Sequence, residues 1–283
     1  MQNTPFVLKN HKDGFELYAQ TWKPESYSKV MVIQHGFGEH SNRYKNLLQF
    51  AEKNNTAVYA LDARGHGKTP GKRGHVDDFN LYANDLVLLI EKATTENANK
   101  PIFLLGHSMG ALVAALATLQ GDTAKKLKGL VLSSGGFLPV LDTVKAIKKT
   151  AASLLANFVP AAVVDAGLDI RLLSRDEQSV KEYQSDPLVH GKISFRMGSD
   201  LFRYGQELIE LAPRFTLPLY VFHGDADGIA RVEGSKAFFN AAGSQDKTLK
   251  IYPGFYHETM NEPFVDRQTV LTNLFDWINA HAK

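Results

Sequence analysis

Pro101-Ile102-Phe103-Leu104-Leu105-Gly106-His107-Ser108-Met109-Gly110, continuing as Ala111-Leu112-Val113-Ala114-Ala115-Leu116-Ala117, is the stretch on which the fold turns. An apolar run, a Gly-x-Ser-x-Gly pentapeptide and an alanine-rich run of helix-forming composition follow one another without a break. Strand, sharp turn, helix is the context in which a serine sits on an elbow with its hydroxyl presented as a nucleophile. The two glycines matter sterically. A side chain at either place would collide in so tight a turn, and glycine tolerates positive φ. The pentapeptide alone is common; the strand before it and the helix after it make it specific.

Outward from that stretch the chain alternates. Residues 15–22 read as an early antiparallel strand, and 30–34 and 57–61 as buried strands by their continuous apolar character. Residues 130–132 and 219–222 read as further strands, and 249–252 as the last. Helical spacing marks 44–53, 78–92 and 263–281, the last with Val270, Leu274, Trp277 and Ile278 on one face. Alternation of this kind predicts an α/β fold, a mostly parallel central sheet flanked by helices. From about 137 to 215 no buried strand is legible and helical stretches take over, among them the charge-free 150–164. An insertion between late sheet strands sits over their C-terminal ends, where α/β sites lie. Residues 137–215 are therefore read as a helical cap, with 1–136 and 216–283 forming the core.

Composition narrows the classes. The chain has 283 residues, 44% hydrophobic and 22% charged, enough for one large α/β domain with an insertion. Net charge is +2 with Lys and Arg scattered along the chain, which argues against a nucleic-acid partner. Cysteine is absent, so no disulfide framework or thiolate metal site is expected. Residues 1–5 lack the basic start and apolar core of a signal peptide, and no apolar run approaches the ~18–20 residues of a membrane span. A soluble cytoplasmic protein is expected. The charge-free stretch 150–164 adds the expectation of peripheral contact with a lipid surface through the cap.

A serine hydroxyl becomes a nucleophile when a base takes its proton and a carboxylate orients that base. In Gly-x-Ser-x-Gly hydrolases the chain order is serine, acid, histidine. His257 follows the last strand across Pro253-Gly254-Phe255-Tyr256 and falls on the same sheet edge as Ser108. His223 precedes the candidate acids, the wrong order for the base, and His281 lies in the tail. Either Asp225 or Asp227 can serve as the acid; Asp227 is preferred because it lies further into the loop, leaving Asp225 to hold the turn. The oxyanion needs two N–H donors. Met109 supplies one, directly after Ser108, and Phe37 in His35-Gly36-Phe37-Gly38 the other. His107 adjoins Ser108 and points elsewhere on such a turn, supporting the elbow or the pocket. His35, His40, His66 and Asp62 lack ligand spacing of the His-x-x-x-His kind, so a structural role in the loops is expected of them. Neither a metal nor an organic cofactor is expected.

These landmarks resemble the monoacylglycerol lipase and lysophospholipase branch of the α/β-hydrolases. The matching text is the ten residues His35 to Tyr44 (HGFGEHSNRY), then Asp62-Ala63-Arg64-Gly65-His66-Gly67, then the serine pentapeptide. It continues with Ser185-Asp186-Pro187-Leu188, Gly224-Asp225-Ala226-Asp227 and the run 247–252 leading to His257. The resemblance implies that the acid is Asp227, and that one acyl chain lies in an apolar tunnel beneath the cap. It implies that Glu39 and Arg43 help hold glycerol, with Tyr183 reaching in from the cap. Two positions depart from the pattern: Met260 stands where some members carry a second histidine near the glycerol, and Thr69 where a serine is common. The activity implied is hydrolysis of monoacylglycerols to fatty acid and glycerol through an acyl-enzyme. The rivals are a lysophospholipase, carboxylesterase or thioesterase of the same fold and, in a different class, a non-catalytic lipid-binding protein.

Overall fold

The computed structural model describes residues 1–140 and 157–283. Its centre is an eight-stranded sheet in the order β1-β2-β4-β3-β5-β6-β9-β10. β3 (Lys29–Gln34), β4 (Thr56–Leu61), β5 (Ile102–His107), β6 (Gly129–Ser133) and β9 (Leu219–Gly224) are buried along their whole length. That is why each reads as an unbroken apolar run and not as an alternation. They run parallel, as does β10 (Lys247–Tyr252) beside β9. β2 (Glu16–Lys23) pairs antiparallel with β4 and with the edge strand β1 (Gln2–Lys9). β1 went unread because it is mostly exposed and carries Pro5, which suits an edge and lacks the buried-strand signature.

Helices cover both faces. α1 (Lys45–Lys53) and the C-terminal helix α8 (Phe264–His281) pack on one side, where Leu47, Phe50, Leu271, Leu274 and Trp277 join Met31, Phe103 and Tyr220. On the other side lie α2 (Asn80–Glu96) and α3 (Met109–Thr118). All ten residues of α3 are buried, as expected of a helix that is apolar all round. A short α4 (Thr123–Lys126) leads into β6.

The inserted segment lies between β6 and β9, as expected. It is not wholly helical. β7 (Val163–Asp165) and β8 (Lys192–Ser194) form a small antiparallel ribbon, with α5 (Glu177–Ser185) between them in sequence. Val163 and Val164, expected in a helix spanning 150–164, are therefore extended; Pro160 cannot continue a helix, and the β-branched pair suits a strand. Residues 150–156 of that expectation lie outside the described residues. α6 (Phe195–Leu211) buries Met197, Tyr204 and Leu208 in the same core as α3, and the Tyr204 ring stacks on Phe79 at 4.9 Å. The end of the insertion is thus a wall of the core, followed by α7 (Val232–Ala241) after β9.

Candidate active site

Ser108 links β5 to α3 with φ 55° and ψ −119°, a positive φ that non-glycine residues avoid unless the surroundings enforce it. The enforcement is visible. A Cβ on Gly110 would lie 2.2 Å from the Gln34 carbonyl oxygen, and one on Gly106 would lie 2.3 Å from the Gly110 carbonyl oxygen. Backbone fills both places, so only glycine lets β5, β3 and α3 close around the elbow. The Ser108 N–H donates to the Ser133 carbonyl at 2.9 Å, tying the turn to β6.

The parallel strands bring three loops to one edge. Ser108 Oγ lies 2.8 Å from His257 Nε2, and His257 Nδ1 lies 2.6 Å from Asp227 Oδ2. Ser108 follows β5, Asp227 follows β9 and His257 follows β10. Asp225, the alternative acid, accepts from the Gly254 N–H at 2.6 Å and braces the turn before His257. His223, set aside as the base, is fully buried and also meets Asp227, with Nε2 2.8 Å from the same Oδ2 that His257 reaches. His281 is remote, against Trp277 and Asp246.

The N–H of Met109 is the first of α3 and has no intrahelical acceptor. The Phe37 N–H has no hydrogen-bond partner among the described residues. The loop carrying it touches the elbow: a Cβ on Gly36 would sit 3.3 Å from Ser108 Cβ. His35 fastens the loop, donating from Nδ1 to the Gly36 carbonyl at 2.7 Å and accepting the Ala63 N–H on Nε2 at 2.9 Å. Gly38 has φ 75°, and a Cβ there would lie 2.4 Å from the His190 carbonyl oxygen, so the cap presses directly on this loop.

Glu39 and Arg43 are buried together. Glu39 Oε1 accepts from the Gly36 N–H at 2.7 Å and the Tyr44 hydroxyl at 3.1 Å, and Oε2 from Arg43 at 3.1 Å. Arg43 then grips Glu258 with two hydrogen bonds of 2.6 and 2.9 Å. Tyr183 is buried in α5 with its ring 4.5 Å from the Arg43 guanidinium. Glu39, Arg43, Tyr44 and Glu258, with His107 and Met260 but not Tyr183, line a cavity of about 10 Å³, the volume of a single water. Asp62 is structural, accepting from the Ser41 N–H at 2.8 Å and the Lys68 N–H at 2.8 Å. Among the described residues no group of three or more His, Cys, Asp or Glu side chains is placed to hold a metal ion.

Electrostatics separates the histidines. Burial opposes charge on His257, but Asp227, through charge and hydrogen bond, and then Glu258 and Glu39, outweigh it and raise its pKa above the ordinary imidazole value. Burial and the neighbouring His257 push His107 down to about 4. Its Nδ1 lies 3.2 Å from Ser133 Oγ, so His107 packs behind the elbow and takes no hydrogen bond from Ser108. Although burial raises it, Asp227 is held below the usual carboxylate range by the two histidines it faces.

Two kinds of residue escaped the sequence reading. Glu258 is adjacent to His257, yet its partner Arg43 is 215 residues away. Cap contacts are equally long-range: His40 Nε2 donates to Asp186 at 2.9 Å, and the Glu258 N–H donates to the Leu173 carbonyl at 2.7 Å. The quoted Ser185-Asp186-Pro187-Leu188 landmark contained the first of these without revealing its partner. Between the Phe37 loop and the insertion opens a cavity of about 910 Å³, walled by Phe37, Leu172, Ile193, Leu201 and, directly after Asp227 in the chain, Gly228 and Ile229, with Asp165 and Arg203 at its polar parts; Ser108 and His257 do not line it.

Comparison with known proteins adds kinship to this geometry. The family model described as serine aminopeptidase, S33 (Hydrolase_4) matches residues 25–264. A monoacylglycerol lipase of Mycolicibacterium smegmatis is 35% identical over 274 residues, covering 95% of this chain and 94% of the relative. The crystal structure of Paleococcus ferrophilus monoacylglycerol lipase superimposes with a TM-score of 0.82 at 32% identity, covering 94% of this chain and 99% of that one. A soluble variant of monoglyceride lipase from Saccharomyces cerevisiae, solved with a substrate analog, gives a TM-score of 0.90 at 27% identity, covering 99% and 96%.

Proposed function

The chain belongs to the monoacylglycerol lipase branch of the α/β-hydrolases, and from that premise we propose that it hydrolyses monoacylglycerols to a free fatty acid and glycerol. The observation that carries the reading is the hydrogen-bonded line Ser108–His257–Asp227, together with a largely apolar cavity of about 910 Å³ lined by Phe37 and by Gly228 and Ile229, the residues that follow Asp227. Such a cavity accommodates a single fatty acyl chain.

His257 takes the Ser108 proton on Nε2 as Oγ attacks the ester carbonyl carbon. Asp227 holds the Nδ1–H tautomer and stabilises the imidazolium that forms. The N–H groups of Phe37 and Met109 take the oxyanion, the second reinforced by the N-terminus of α3. Collapse expels glycerol, which receives its proton from His257. Water then attacks the acyl-enzyme, giving its proton to His257, and Ser108 is restored as the fatty acid leaves. Glu39 and Arg43 form the polar floor of the alcohol end. Their mutual pairing and the small cavity beside them favour contact with glycerol through one bridging water over direct contact.

Among the described residues no helix is long and apolar enough to cross a membrane. The cap carries exposed Phe158, Val159 and Val164, and this face is the one we assign to peripheral contact with lipid.

The test is hydrolysis by wild type and Ser108→Ala of monoacylglycerols of several chain lengths, a diacylglycerol, a triacylglycerol, a lysophospholipid and a short soluble ester. The expected result is preference for monoacylglycerols, abolished by the substitution. Turnover confined to the lysophospholipid or the short ester moves the function to one of those classes, and no turnover at all favours a binding protein.

A further inference from the structure

His223 is the penultimate residue of β9 and is wholly inaccessible. Its Nε2 lies 2.8 Å from Asp227 Oδ2, the same oxygen that His257 Nδ1 reaches at 2.6 Å, and 3.1 Å from the Ala230 carbonyl oxygen. Both neighbours are acceptors, so this nitrogen carries a proton and donates it. Across the ring, Nδ1 lies 2.8 Å from Ser235 Oγ in α7, which fixes the ring plane. The other oxygen of Asp227 accepts from the N–H groups of Ile229 at 2.7 Å and Ala230 at 2.9 Å. A carboxylate has about four lone-pair sites, and here each is taken.

We propose that His223 is a positioning residue of the hydrolytic site, a second histidine donor on Asp227 that fixes the carboxylate's rotation and divides the charge felt by His257. The inference rests on the Ser108–His257–Asp227 reading and extends it by a residue that never meets substrate. Without His223, Oδ2 keeps only His257 as a donor, the carboxylate is held by the two N–H groups on Oδ1 alone and can twist about them, and Oδ2 turns its whole charge on His257. The first effect misplaces the base, and the second makes His257 hold its proton more tightly. The groups facing His257 are Asp227, Glu258, Glu39 and, across a ring-centroid distance of 5.0 Å, His107. Only the first is altered by changing His223.

His223→Phe keeps a ring in the core and removes the donor; His223→Gln places an amide N–H near the position of Nε2. Both are assayed beside wild type and Ser108→Ala on a monoacylglycerol and a soluble p-nitrophenyl ester, across pH, with thermal midpoints. His223→Phe is expected to lose roughly ten- to a hundred-fold in kcat with KM nearly unchanged, and its acid limb of kcat/KM moves to higher pH. His223→Gln recovers most of the rate and returns the limb. A His223→Phe enzyme with wild-type kcat and an unmoved limb overturns the proposal, as does equal loss in both variants that merely follows loss of folded protein. If His223→Phe does not fold, Ser235→Ala loosens the ring with little change of volume. A smaller loss with the same limb direction is then expected, and an unmoved limb overturns. Turnover by Ser108→Ala would instead defeat the underlying triad reading, whatever His223 does.

Discussion

Replacing Glu258 by glutamine removes one negative charge from beneath the site at nearly constant volume. The carboxylate accepts two hydrogen bonds from Arg43, at 2.6 and 2.9 Å, and one from Asn261 at 2.9 Å. Its side chain is 6% exposed and that of Arg43 9%, so water cannot replace either partner. Breaking a buried pair from one side costs about 3–5 kcal/mol, mostly because a charge stays behind unpaired. Arg43 retains Glu39 at 3.1 Å, which puts the loss near the lower end, about 3 kcal/mol. In a chain of this size that lowers the thermal midpoint by about 5 °C at neutral pH.

The sign of the pH dependence follows. Burial raises the Glu258 pKa, but Arg43 lowers it more, leaving the folded value well below the ordinary glutamate range. A depressed carboxylate contributes stability above its unfolded pKa, ~4.3, and loses it as pH falls through the folded value. The gap in midpoint between wild type and Glu258→Gln is therefore full near neutrality and closes as the solution is acidified below ~4. Calorimetric midpoints across pH measure it directly. Equal midpoints at pH 7, or a gap that widens in acid, would refute the reasoning.

Two further predictions concern turnover. Only neutral His257 can accept the Ser108 proton, and its pKa is raised, so the acid limb of kcat/KM is expected above the ordinary histidine value of ~6.5. Glu258→Gln removes one of the charges that raise it and should move the limb to lower pH; a wild-type profile flat down to pH ~4 rules out His257 as the base. Gly110→Ala places a Cβ 2.2 Å from the Gln34 carbonyl and 2.5 Å from that of His35, forcing the oxyanion loop or the start of α3 to shift by about 1 Å. A displacement of that size costs on the order of 10²-fold in kcat, and steady-state assays on folded Gly110→Ala protein at the wild-type rate would contradict it.

What was legible in the sequence was what burial writes locally. β3 to β6 and β9 are covered on both faces, so their apolar runs stood out, and the chain order of Ser108, Asp227 and His257 follows from which strands those runs make. What was not legible lacks a local signature. β1 is an exposed edge with Pro5. β7 and β8 are three-residue strands on the surface of the insertion. Arg43 and Glu258 each look like a solvated charge until the fold buries them together. His223 was set aside because a rule about the order of the base says nothing about what else can donate to the acid.

The run His35 to Tyr44 shows why so long a stretch is constrained together. Glu39 holds the Gly36 N–H at 2.7 Å on one side and Arg43 at 3.1 Å on the other. Arg43 reaches Glu258, the neighbour of His257. From the same run, the Gly38 carbonyl accepts from the His190 N–H of the cap at 2.9 Å, and His40 donates to Asp186 of the cap at 2.9 Å. One loop therefore carries the proposed oxyanion donor Phe37, grips Glu258 beside the proposed base and touches the insertion. Displacing the cap breaks hydrogen bonds one residue on either side of Glu39, whose carboxylate fixes the approach to Phe37. Cap position and oxyanion geometry are consequently one mechanical variable: a substitution that frees the cap, such as Asp186→Ala, acts on the acylation step as well as on entry of the substrate.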